Sequence, residues 1–78
     1  MIDKIINILL ETRPEFDFND ETVSFMDAGY LDSFDIVTVV ADLEEVFDVK
    51  ISGASILPEN FQSVESIVNL VENSKNAS

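Results

Sequence analysis

In residues 2–12 the apolar side chains Ile2, Ile5, Ile6, Leu9 and Leu10 recur at i, i+3, i+4, i+7 and i+8, the period of a helix with one buried stripe. Pro14 stops that helix, because a proline ring cannot continue the hydrogen-bond ladder. Residues 13–31 form a long connection holding Pro14, Asn19-Asp20 and Gly29, punctuated by Phe16, Phe18, Val23, Phe25 and Met26. A structureless loop of that length is uncommon in a small domain, so these apolar residues predict a loop pinned onto the core. Gly29 supplies a positive φ just before the next helix. Residues 32–47 carry the strongest helical pattern. At about 100° per residue, Ile36, Val40, Leu43 and Phe47 gather on one side, and Asp35, Thr38, Asp42 and Glu45 on the other. Asp32 is a good N-cap, with Asp35 in the capping-box position three residues later. The short apolar stretch Val49-Lys50-Ile51 follows, and Gly53 closes the unit.

Pro58 within residues 56–61 suits the first turn of a very short helix. Ser63 reads as the N-cap of a final helix, with Glu65 in its first turn and Val64, Ile67, Val68 and Val71 on its buried stripe. No strand pattern and no internal repeat is present. The expected fold is all-α: a small four-helix bundle of three longer helices and one short one, with a long first loop. Residues 1–78 read as a single domain whose polar tail, about 73–78, frays.

Composition then narrows the chemistry. The chain has no Cys and no His, which removes thiolate nucleophiles and metal sites, the usual general base, and any Ser–His–Asp triad within one chain. Autonomous catalysis is not expected. Sixteen acids against four bases give a formal charge of −12. Such a surface repels nucleic acid and anionic membranes and attracts proteins with basic patches. No apolar run is long enough to span a bilayer and no signal-peptide pattern opens the chain, so a cytoplasmic location is expected; a monomer is expected as well. The acids at Asp17-Phe18-Asn19-Asp20-Glu21 begin like a calcium loop, but Thr22 and Ala28 stand where such a loop needs Gly and Glu, so no metal site is expected.

The informative segment is Gly29-Tyr30-Leu31-Asp32-Ser33-Phe34, which sets a hydroxyl at the head of the best helix. A helix N-terminus has unpaired N–H groups and partial positive charge, and so favours an attached phosphate. Taken alone, a serine there reads more readily as ordinary capping chemistry. The context shifts the balance. Asp32-Ser33-Phe34 ahead of a long amphipathic helix resembles the attachment site of acyl carrier proteins, where the motif is Asp-Ser-Leu and Asp-Ser-Phe is the variant of D-alanyl and some stand-alone carriers. Gly29 lies four residues before the serine, as in that family. Leu43-Glu44-Glu45-Val46-Phe47-Asp48 resembles the family's ending of helix two, and Phe61-Gln62-Ser63-Val64-Glu65-Ser66-Ile67 the start of its last helix.

The resemblance implies a non-catalytic carrier. A phosphopantetheinyl transferase would move 4′-phosphopantetheine from coenzyme A onto Ser33 Oγ, with Asp32 assisting, and the arm's thiol would hold an acyl or aminoacyl cargo as a thioester. The missing Cys fits, since the working thiol then belongs to the cofactor. Basic-surfaced enzymes that transfer the cargo would meet Asp35, Asp42, Glu44 and Glu45, with Val39 and Val46 supplying apolar contacts. The alternative for those acids is a solvated helix face. Thr38 and Val46 replace the Glu of typical fatty-acid carriers, and Ile36 a more polar residue, which favours a dedicated biosynthetic pathway. A D-alanyl or other aminoacyl carrier loaded by an adenylating ligase is the second reading, and a cofactor-free acidic adaptor for a basic partner is a third from another class. Val37, Val40, Ile51, Ile56 and Phe61 read either as a channel for an acyl chain or, more simply, as core.

Overall fold

Three stretches of the chain have both the period and the end chemistry of a helix, and all three are helical. The structure is a computed structural model that describes residues 1–20 and 22–76, without the side chain of residue 76. Helix α1 (Ile2–Thr12) ends before Pro14, α2 (Ser33–Phe47) starts behind the Asp32 cap, and α3 (Val64–Asn76) starts behind Ser63. Two 3-10 turns, Gly53–Ser55 and Pro58–Phe61, lie between α2 and α3. The fold is therefore all-helical, with the short helix expected around Pro58 present as a single 3-10 turn and Pro58 at its start. Among the described residues there is no strand, and no helix is long and apolar enough to cross a membrane. The tail expected to fray from Asn73 is helical as far as Asn76, where Ser74 Oγ donates to the Leu70 carbonyl at 2.8 Å. Residues 77–78 lie outside the described residues.

One core gathers the three helices: Ile5, Ile8 and Leu9 from α1, Ile36, Val39, Val40 and Leu43 from α2, and Ile67, Leu70 and Val71 from α3. The buried stripe of α1 is rotated from the expected one. Ile8 is buried and Ile2, in the first turn, is exposed, as α1 packs against both α2 and α3.

The long connection is pinned as its apolar spacing predicts. Phe18, Phe25 and Leu31 are buried, and Phe16, Val23 and Met26 pack against the core. Phe16 stacks on Tyr30 at 4.3 Å and Phe18 meets Phe25 edge-on at 5.0 Å. Such pairs contribute about 0.5–1.5 kcal/mol each beyond burial. The Phe25 carbonyl accepts the Tyr30 N–H at 2.8 Å and the Leu31 N–H at 3.2 Å, closing a tight turn that Gly29 permits with φ +78°. The Phe25 N–H donates to the Gln62 carbonyl at 2.8 Å, tying this turn to the segment before α3. The turn thus has a fixed floor, and the first residue of α2 is delivered at a fixed place.

Candidate functional site

Asp32 has extended backbone, φ −122°, and its side chain folds over the head of α2. Its Oδ1 accepts the N–H of Phe34 at 2.9 Å and of Asp35 at 3.0 Å. Asp35 Oδ2 reciprocates by accepting the Asp32 N–H at 3.2 Å, which completes the capping box that the spacing predicts. Ser33 is the first helical residue and is exposed, and among the described residues its hydroxyl meets no hydrogen-bond partner. The expected set of open N–H groups for a phosphate is narrower than the sequence implies. Asp32 consumes two of the first-turn donors, and the Ser33 N–H is the one left over.

The acids at this site have a counter-ion from 22 residues away. Arg13, one residue past the end of α1, donates from Nε to Asp35 Oδ2 at 2.8 Å, and its Nη2 lies 3.4 Å from Asp32 Oδ2. The hydrogen bond to Asp35 and then that carboxylate's charge hold the Arg13 guanidinium above its usual pKa, with smaller contributions from Asp32 and Glu15. Sequence reasoning did not single out Arg13. The available signal was that it is the only arginine in the chain and lies just outside the helix that packs on α2.

The residues expected to form a partner face do not share one surface. Asp35 is only 9% exposed and is held by Arg13, so it is not part of an open acidic arc. Its position is i−4 from Val39 and i−8 from Leu43, on the buried side of α2. Val39 is fully buried and has no surface to offer a partner. Glu44 is half-buried, and its Oε2 accepts the Ile51 N–H at 2.9 Å, a structural task at the end of α2. Asp42 is half-buried, while Glu45 and Val46 are exposed. The stripe that faces outward from Ser33 is instead Phe34, Val37, Thr38, Ala41 and Glu45, with Phe34 85% and Val37 66% exposed. Its apolar half was missed because α2 carries apolar residues on more than one side.

Val40, Ile51 and Phe61 are core residues and Ile56 packs against them, whereas Val37 points outward, so these five do not line a common channel. A hollow of about 560 Å³ lies elsewhere, between the first half of α1 and the start of α3, bordered by Ile2, Ile6, Phe18, Val64 and Val68 among others.

An exposed, unengaged hydroxyl beside a free N–H at a helix head suits a covalently held phosphodiester. The comparisons with known proteins agree in kind. The family described as "Phosphopantetheine attachment site" matches residues 3–71. An acyl carrier protein of Buchnera aphidicola subsp. Acyrthosiphon pisum (strain 5A) is 36% identical over 72 residues, covering 92% of this chain and 85% of that protein. No solved structure matches.

Proposed function

The chain belongs to the phosphopantetheine-binding acyl carrier protein family, and from that premise we propose that Ser33 carries the 4′-phosphopantetheine arm and delivers a thioester-bound acyl group within a dedicated biosynthetic pathway. A member of this family is a non-catalytic carrier with covalent 4′-phosphopantetheine, which sets aside a cofactor-free adaptor. The observation that carries the site is the exposure of Ser33 at the first position of α2, with its hydroxyl unengaged.

Bound there, the arm supplies the thiol that this Cys-free chain lacks. On attachment the Ser33 Oγ–phosphorus bond forms while the pyrophosphate bond of coenzyme A breaks. Adenosine 3′,5′-bisphosphate leaves, and the hydroxyl proton passes to a base of the phosphopantetheinyl transferase. Asp32 holds the backbone N–H groups of Phe34 and Asp35 just after the reacting residue, and its side chain is open enough to face the transferase. Partner enzymes dock along the outward stripe of α2, with Phe34 and Val37 giving short-range contact and Asp42 and Glu45 drawing in basic surfaces. The carrier works as a cytoplasmic monomer.

The likeness to an acyl carrier protein supports an acyl cargo. Phe34, the residue that sets Asp-Ser-Phe apart, supports the second reading, a D-alanyl or other aminoacyl carrier. Incubation with coenzyme A, magnesium and a broad-specificity transferase should add one phosphopantetheine to the wild-type chain and none to Ser33→Ala. Offering the product to an amino-acid adenylating ligase and to an acyl transferase then separates the two cargoes.

A further inference from the structure

The chain has four cationic side chains against sixteen acids, and Arg13 lies against the two carboxylates that flank Ser33. It contacts both, and its Nη1 also lies 3.8 Å from Glu15 Oε2. Nε meets buried Asp35 at 2.8 Å and Nη2 faces Asp32 at 3.4 Å. Asp35 in turn fixes the Asp32 N–H, and Asp32 fixes the N–H groups of Phe34 and Asp35. The backbone on both sides of Ser33 therefore belongs to a network whose outer member is Arg13, anchored at the end of α1 where the Arg13 N–H donates to the Leu9 carbonyl at 2.8 Å. Without the guanidinium, Asp35 is a largely buried carboxylate lacking its ion partner, and two negative charges flank the hydroxyl that an anionic diphosphate must reach.

We infer that Arg13 is a positioning residue for the modification of Ser33, holding the Asp32–Asp35 cap in its working geometry and offsetting its charge as coenzyme A's diphosphate approaches. This rests on Ser33 as the attachment residue. The forked guanidinium matters, since a lysine ammonium reaches one carboxylate as a point charge and cannot hold both.

The test is steady-state loading of the whole chain by a transferase with coenzyme A and magnesium, varying carrier concentration for wild type, Arg13→Ala, Arg13→Lys and Asp35→Asn. Circular dichroism follows folding of each. Loss of positioning lowers kcat, whereas simple destabilisation lowers the concentration of competent carrier and raises KM with kcat intact. Arg13→Ala should lower kcat about three- to tenfold, well below the roughly 100-fold that a 1 Å misplacement can cost. Its KM should not rise, because the variant is more acidic and attracts a basic transferase at least as well. Asp35→Asn should lower kcat in the same way, and Arg13→Lys should recover part of the loss. An unchanged kcat in Arg13→Ala, or a change confined to KM, overturns the inference. Mapping the wild-type label keeps the two readings apart. A label off Ser33 refutes the attachment site, while a label on Ser33 with unchanged Arg13→Ala kinetics refutes the role of Arg13 alone.

Discussion

The Glu44 carboxylate accepts the backbone N–H of Ile51 at 2.9 Å, bridging the last turn of α2 to the irregular segment beyond it. Charge-assisted bonds of this kind contribute about 1.5–3 kcal/mol, and Glu44 is only half-buried, so the lower end applies. Glu44→Ala should cost about 1–2 kcal/mol in chemical denaturation, with Glu44→Gln losing less. Loading of Ser33 in the folded variant should be unchanged. A fully stable Glu44→Ala with impaired partner transfer would return Glu44 to the recognition face.

Asp48 ends α2 in the left-handed region, at φ 53° and ψ 51°, where the Asp48 and Val49 N–H groups both reach the Glu44 carbonyl. A side chain there is strained, and its carboxylate sits at the negative end of the helix dipole. Asp48→Gly should therefore raise stability by up to about 1 kcal/mol. Thermal melts of Asp48→Gly and Asp48→Ala check this, the alanine variant showing no gain. A lower melting temperature for the glycine variant would count against it.

Asp20 accepts the Thr22 hydroxyl at 2.6 Å and the Thr22 N–H at 3.0 Å, and those bonds, the hydroxyl first, hold its pKa below the usual carboxylate value. Because the folded value is the lower one, the stabilisation is present above the unfolded pKa near ~3.9 and is lost as pH falls through the folded value. Thr22→Val should raise the Asp20 pKa toward that unfolded value, as followed by NMR titration of its carboxyl carbon. No movement of the pKa would contradict the assignment.

Much of this architecture is legible in the sequence, and the failures have physical causes. The Asp32 cap, the Gly29 turn and the pinned Phe18 and Phe25 follow from local chemistry and spacing, and all are present. The face of α2 is harder to read. The run Ile36-Val37-Thr38-Val39-Val40 offers apolar residues on several sides, and only packing decides that Val39 goes in and Val37 stays out. Asp35 was misplaced for another reason: an acid is buried at little cost when its partner is supplied, and here the partner is 22 residues distant. The position of Ser33 was readable because the cap and the motif are contiguous.

The exposed stripe separates two kinds of recognition. Phe34→Ala with Val37→Ala should leave stability within about 0.5 kcal/mol, since both side chains are exposed. The same pair should weaken binding to a cognate enzyme, chiefly through faster dissociation. Asp42→Lys with Glu45→Lys should instead slow association and flatten its salt dependence. Surface plasmon resonance across a salt series distinguishes these effects. Wild-type kinetics for the Phe34 and Val37 variant would move recognition to the turn before Ser33 or the region around Pro58.

The attachment of the arm is the claim on which the rest depends, and intact mass with peptide mapping tests it most directly. After reaction with coenzyme A, magnesium and transferase, the wild-type chain should gain one phosphopantetheine group. Fragmentation should place it on Ser33, and Ser33→Ala should remain unmodified with its helical spectrum intact. A label on Ser24, Ser52, Ser55 or Ser63, or undiminished labelling of Ser33→Ala, would contradict the account.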